Sequence, residues 1–202
     1  MTVFGGDSHD DPGWRPVLRH LGWVLIPGVA FAFQWWWRRP SRDGLTALRT
    51  VFASFVVAFG HIAVVVFTLD ATIRLRRHPL NGLYAAAAVV VLGVYGLTVP
   101  RLVERRTRID CTDDAKLAGA YVARFFLRAA FSNTAGLVGF VGFMLTNNPA
   151  EYLLGLAFTL IGLTRTAPTA RNLAADQRAL SAEGCHRSLL HALVTTPPSS
   201  KR

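Results

Sequence analysis

The sequence predicts an all-α, polytopic membrane helix bundle, and three observations lead to this fold class. Apolar residues make up 51% of the 202 residues and charged residues only 17%, a balance that fits a soluble domain poorly. Four apolar stretches approach the roughly 20 residues that a helix needs to cross a bilayer. Arginine-rich segments separate these stretches. Spans are predicted at about 50–69, 82–99, 129–146 and 152–168.

The first two spans are predicted from apolar runs without a charged residue. As a helix, residues 50–69 would reach about 30 Å, the thickness of the hydrocarbon core. Residues 82–99 include an alanine and valine run at 85–91. Pro100 follows directly and is expected to end this helix, because its ring cannot continue the hydrogen-bond ladder.

The third and fourth spans are predicted to form a hairpin. Thr112 is the expected N-cap of a helix that has two aspartates in its first turn and continues through 129–146. In the turn after it, Asn148 is the expected cap and Pro149 the first helical residue. The apolar part of the fourth span is short, so its helix is expected to extend through 152–168 toward Ala170.

Two segments flank this predicted bundle of residues 45–168. Residues 1–19 are polar, and 20–44 hold an 18-residue apolar stretch, 20–37, that ends in three tryptophans and two arginines. Residues 20–37 are either a fifth span or a helix in the membrane interface. Residues 169–202 are predicted to carry short amphipathic helices at 169–182 and 186–194, which bury four leucines: Leu173, Leu180, Leu189 and Leu193.

The distribution of basic residues predicts the orientation. Seventeen of the 22 lysines and arginines fall on the side of the C-terminus, which the positive-inside rule places in the cytoplasm. The expected location is a bacterial cell membrane, and three arginines in the outer 70–81 loop are expected to reach lipid phosphates. Cys111 and Cys185 would lie on the cytoplasmic side, where thiols stay reduced, so no disulfide is expected.

His61 is the most informative single residue, because it lies near the middle of the first predicted span. An ionisable residue inside a membrane suggests a functional site. The alternative is structural: a neutral histidine would hydrogen-bond a polar side chain of the bundle. The absence of acidic residues from the span interiors favours the structural alternative. Candidate partners are Ser54, Ser132, Asn133 and Thr134.

Small residues in the spans predict close helix packing, since helices in lipid associate by backbone approach rather than by the hydrophobic effect. These positions pack either within the bundle or against a partner chain or second copy. The predicted packing glycines are Gly136, Gly139 and Gly142 in the third span and Gly93 and Gly96 in the second.

A weak internal repeat is suggested by a shared pattern at an offset of 79. Arginines follow leucines at Arg49 and Arg128, and glycines recur at Gly60 and Gly139. Since both segments would run outward from the cytoplasm, the duplication would be parallel.

Several function classes are not expected. The formal charge of +10 comes without a basic stripe interleaved with aromatics, so nucleic-acid binding is not predicted. Cys185, His186 and His191 lack the spacing and the fourth ligand of a zinc site. Neither a phosphate-binding loop nor a nucleophile elbow is present, so no enzyme activity, metal or cofactor is expected.

The remaining hypothesis is a non-enzymatic membrane protein, an accessory or scaffolding subunit that acts through helix packing. Its expected partners are the lipid bilayer and another membrane protein or a second copy, contacted by the glycine-rich third helix and the C-terminal helices. The alternative is a small transporter or proton-linked carrier that uses His61.

Overall fold

The computed structural model describes residues 11, 13–18, 43–73, 79–106 and 109–195, and every regular element in these ranges is a helix. Residues 15–18 form one helical turn. This confirms the all-α prediction for the described part of the chain. The six longer helices are α1 Gly44–Ile73, α2 Pro79–Arg106, α3 Asp114–Thr146, α4 Pro149–Thr166, α5 Ala170–Ala182 and α6 Leu189–Thr195.

Three of these helices, α1, α2 and α3, are long and apolar enough to cross a membrane. The fourth predicted span, 152–168, falls in α4, which qualifies only when it is taken with α5 as one broken span. The described residues therefore provide three candidate spans, or four if the broken pair is one span. The predicted segment 20–37 lies outside the described residues.

The prediction that Pro100 ends the second span is wrong, because α2 continues to Arg106. A proline inside a helix loses one hydrogen bond and crowds the carbonyl four residues earlier, here that of Gly96. A helix end would leave up to four carbonyls without partners, which is costlier in lipid. Continuing the helix through Pro100 is therefore the cheaper arrangement.

The start of α3 differs from the prediction by one residue. Asp113, rather than Thr112, accepts a hydrogen bond from the backbone N–H of Lys116, at 2.7 Å, and so occupies the capping position. A carboxylate is the stronger acceptor for this N–H and also faces the positive end of the helix dipole.

The turn into α4 agrees with the sequence prediction. The Asn148 side chain accepts from the backbone N–H of Ala150, and Pro149 is the first helical residue. The preceding Asn147 has a φ of 54°, a left-handed conformation that asparagine tolerates well. The helix ends at Thr166 and does not reach the expected Ala170, since Pro168 removes a backbone donor and Thr169 caps α5.

The chain divides into two compact units. Unit 1 comprises residues 1–55, 109–122 and 168–202, and unit 2 comprises 56–108 and 123–167. In unit 2, Tyr152, Val66 and Phe143 form an apolar core. The Tyr152 hydroxyl donates to the carbonyl of Phe59, at 2.6 Å, so the buried polar end of this ring is satisfied.

In unit 1, the C-terminal helices are linked to the start of α3 by polar contacts. The Tyr121 hydroxyl donates to Asp176, at 2.9 Å, and Arg187 pairs with Asp114, at 2.8 Å. The turn between α5 and α6 contains Gly184 at a φ of +91°, which side chains other than glycine rarely adopt. The four leucines predicted to be buried here are buried: Leu173, Leu180, Leu189 and Leu193.

Candidate functional site

His61 lies on the exposed side of α1. Its Nδ1 is 2.9 Å from the carbonyl oxygen of Val57, one turn earlier. Because a carbonyl only accepts, Nδ1 carries the hydrogen, and the second ring nitrogen, Nε2, is left for another partner. The structure therefore places His61 on an outer surface of unit 2 rather than on an inner polar cluster.

The hydroxyl groups among the other predicted polar residues use acceptors on their own helices, whereas Asn133 does not. Asn133 is buried and its side-chain oxygen has no hydrogen-bond donor among the described residues. The hydroxyl groups each donate to the carbonyl oxygen four residues earlier, so they leave no donor directed at His61. The pairs are Ser54 with Thr50, Ser132 with Arg128, and Thr134 with Ala130.

The surface around His61 is otherwise mainly apolar. We name it the His61 face, and it consists of His61, Val64, Val65 and Thr68, which share one side of α1. Val64 and Val65 are 65% and 48% exposed. The Thr68 hydroxyl is satisfied by the carbonyl of Val64, at 2.8 Å. Nε2 of His61 is therefore the polar atom of this face that its own helix leaves without a bond.

The predicted packing glycines of the third span lie where α3 meets neighbouring helices of the same unit. A Cβ added at Gly139 would lie 2.6 Å from the carbonyl oxygen of Glu151, and one at Gly136 would lie 2.5 Å from the Phe59 ring. The Glu151 carbonyl belongs to the backbone of α4, so it cannot move away from a Cβ at Gly139 as a flexible side chain could. Gly142 is buried as well. This side of α3 is therefore already covered by the chain itself.

The glycines of the second span also lie at close approaches. A Cβ at Gly93 would lie 2.5 Å from the ring of Phe158 in α4, and one at Gly96 would meet the carbonyl of Phe131 in α3. The missing side chains let α2 approach both helices, as expected for packing in lipid.

Sequence reasoning missed a half-buried ion pair between α2 and α3. Arg128 and Glu104 form two bonds, with Nε 2.5 Å and Nη2 2.9 Å from the two carboxylate oxygens. Their side chains are 20% and 14% exposed. The guanidinium matches the carboxylate geometrically and brings two charges close together in a mostly apolar unit.

A second ion pair, in unit 1, is more completely buried. Arg49 is 1% exposed and binds both carboxylate oxygens of Asp11, at 2.6 and 2.9 Å. It also donates to the carbonyls of Gly13, at 2.8 Å, and Pro168, at 3.1 Å, and lies 5.3 Å from the Trp14 ring centre. The hydrogen bond from Arg49 holds the pKa of Asp11 below its usual value.

The sequence did contain a signal for these two ion pairs. Arg49 and Arg128 occupy matching places in the suggested repeat, each directly after a leucine and inside a long helix. An arginine there needs an acidic partner when its helix is packed. The partners are 38 and 24 residues away in sequence, however, so the pairing itself could not be read from local pattern.

Glu151, in the first turn of α4, is a further polar residue that the sequence did not single out. It is 3% exposed, and its Oε2 has no hydrogen-bond partner among the described residues. Its burial arises because the glycines of α2 and α3 allow these helices to close around it.

The expectation that the two cysteines stay reduced and unpaired is contradicted by the structure. Cys111 and Cys185 form a disulfide bond, with their Cα atoms 5.8 Å apart. Fold topology brings together two loops that are 74 residues apart in sequence. The prediction rested on the compartment assigned to the loops and had no information on their distance.

No protein-family model, curated protein or solved structure matches the chain. Its function therefore has to be inferred from the placement of its own side chains. Within the described ranges, no three histidine, cysteine, aspartate or glutamate side chains come together as a metal site. The remaining candidates for a functional role among the described residues are the His61 face, Glu151 and the ion-paired arginines.

Proposed function

We propose that this protein is a non-enzymatic, multi-pass component of a bacterial cell membrane, an accessory or scaffolding subunit that packs against another membrane protein through the His61 face. The observation that carries the proposal is the position of His61 on an exposed, apolar side of α1. The partner we propose is a membrane helix that donates a hydrogen bond to Nε2.

The cost of leaving Nε2 without a donor supports a covered His61 face. An unpaired polar group in an apolar medium costs about 1–3 kcal/mol by protein mutational data. A donor on a neighbouring helix would remove this cost and add roughly 1 kcal/mol of interhelical attraction. A histidine facing only lipid would have neither benefit.

The difference in burial among the helices also favours a partner contact on α1, which carries the His61 face. In the most apolar 18-residue stretch of each helix, 22% of the residues of α1 and 17% of those of α2 are buried, compared with 50% of those of α3. The glycine-rich side of α3 packs inside unit 2, so a partner has to use another surface. The sequence alone places this contact on the glycine-rich third helix and the C-terminal helices, whereas the proposal places it on α1.

Site-specific photocrosslinking in native membranes tests the proposal. A photoreactive residue at Val64, next to His61, should give a discrete protein adduct, and H61L should reduce its yield. A matched probe at Met144, which is 55% exposed on α3, serves as the control. If the probe at Val64 reacts with lipid alone, or if H61L leaves its protein adduct unchanged, the proposal fails.

A second candidate is a small proton-linked carrier, favoured by the ionisable ring of His61 and its open Nε2. A carrier would need His61 to become part of a polar path when the protein changes conformation. H61L should then abolish uptake or proton coupling in membrane vesicles while the thermal unfolding curve stays the same. Unaltered transport in H61L would exclude this candidate.

We also propose that the C-terminus lies in the cytoplasm. The support is the count of basic residues, 17 of 22 on that side. The Cys111–Cys185 bond argues in the opposite direction, since disulfides persist in oxidising compartments. A reporter tag after residue 202 should be protected from external protease in intact cells, and a cleaved tag would reverse the assignment.

A further inference from the structure

The carboxyl group of Glu151 lies among three helices of unit 2. Glu151 follows the Asn148 cap in the first turn of α4 and is 3% exposed. A Cβ added at Gly82 of α2 would lie 3.4 Å from Oε1 of Glu151. A Cβ added at Gly142 of α3 would lie 3.3 Å from the Cβ of Glu151. Two glycines therefore leave just enough room for this side chain.

The described groups around Glu151 offer its carboxyl no positive charge. Gly142 of α3 and Gly82 of α2 face it and cannot ionise. The α1 residues that pack beside the adjacent Tyr152 are apolar, among them Ile62, Val66 and Leu69. In α4, the hydroxyl of the adjacent Tyr152 is already bonded to the carbonyl of Phe59.

We propose that Glu151 is a proton-binding site: its carboxyl group carries a proton in the packed bundle. An ionised carboxylate without a donor is costly in apolar surroundings, and binding a proton removes the charge. The positive end of α4 favours an anion, but Oε2 accepts no hydrogen bond there. The inference is independent of the function proposed for the His61 face.

Infrared difference spectroscopy of the purified full chain, wild type against E151Q, tests this directly. At neutral pH, E151Q should lose one C=O stretching band of a protonated carboxyl and no carboxylate band. The matched control is E183Q, at an exposed position in the turn after α5, which should lose a carboxylate band instead. A lost carboxylate band in E151Q would overturn the proposal.

The stability of E151Q gives a second, separate criterion. Glutamine has nearly the shape of a neutral glutamic acid, so E151Q should unfold at the same temperature as the wild type at neutral pH. If Glu151 were instead held ionised by a positive charge, E151Q would remove one partner of an ion pair. In that case E151Q would be clearly destabilised or would fail to fold, and the proton-binding assignment would be wrong.

Discussion

Arg49 and Asp11 are joined by two hydrogen bonds although 38 residues separate them in sequence. This ion pair holds the chain before α1 against the helix, and a further bond from Arg49 reaches the carbonyl of Pro168, within the connection between α4 and α5. One buried guanidinium therefore ties together three separate segments of unit 1. Removing its counter-charge should have a large effect.

We expect D11N to lower the free energy of unfolding by about 1–3 kcal/mol. Loss of one partner of a buried pair leaves the other charge unpaired, although the partial exposure of Asp11 reduces the cost from the roughly 3–5 kcal/mol of a fully buried pair. The control is D114N, which breaks the more exposed Arg187 pair and should cost less than about 1 kcal/mol. Denaturant titration in detergent compares the two. Equal losses would contradict the assigned role of Arg49.

The same ion pair predicts a dependence of stability on pH. The hydrogen bond from Arg49 lowers the pKa of Asp11 in the folded protein below the usual value of an aspartate. The contribution of Asp11 is therefore fully present above about pH 4 and is lost as the pH falls through the lowered folded pKa. The difference in stability between wild type and D11N should be constant near neutral pH and shrink in acid. A difference that grows toward low pH would refute this.

Gly139 should tolerate no side chain. In G139A the new Cβ would lie 2.6 Å from the carbonyl oxygen of Glu151, so either α3 and α4 move apart or the backbone at this contact is strained. We expect a loss of about 1–3 kcal/mol, typical of overpacked sites. G119A in the same helix is the matched control, because nothing lies within 4 Å of its added Cβ. Thermal unfolding should show G119A equal to or more stable than the wild type, and a stable G139A would disprove the contact.

The disulfide should stabilise unit 1 measurably. C111S, or reduction of the wild type, should lower the free energy of unfolding by about 2–4 kcal/mol, since the bond restricts the unfolded chain. The sequence has two cysteines, so reductant should leave C111S unaffected, which is the control. Alkylation of free thiols in denatured whole-cell samples reports the bond in cells. A wild type that is fully alkylated without reductant would show that the bond does not form there.

Much of the helical framework could be predicted because it depends on neighbours in sequence. The length of an apolar run decides whether a segment can span lipid, and the Asn148 cap acts within two residues of its own position. The burial of Leu173 and Leu180 follows from helical periodicity in α5. The prediction that Pro100 ends its helix is wrong because it considers proline in water, where a helix end can bond to solvent. In lipid a helix end leaves carbonyl groups without partners, which is costly.

The candidate site was predictable only in part. The sequence placed His61 within an apolar helix, but the side of α1 on which it lies depends on which face the other helices cover. The burial of Glu151 could not be predicted from the sequence for the same reason, because it depends on glycines of two other helices.

The linear chain was sufficient for the existence of the helices, the turn between α3 and α4 and the apolar character of the bundle, because hydrogen bonds over three or four residues and run length govern these features. Packing was needed to pair Arg128 with Glu104 and Cys111 with Cys185 and to expose His61. Such contacts join residues far apart in sequence, and their energies depend on distances of a few ångströms that no local pattern encodes.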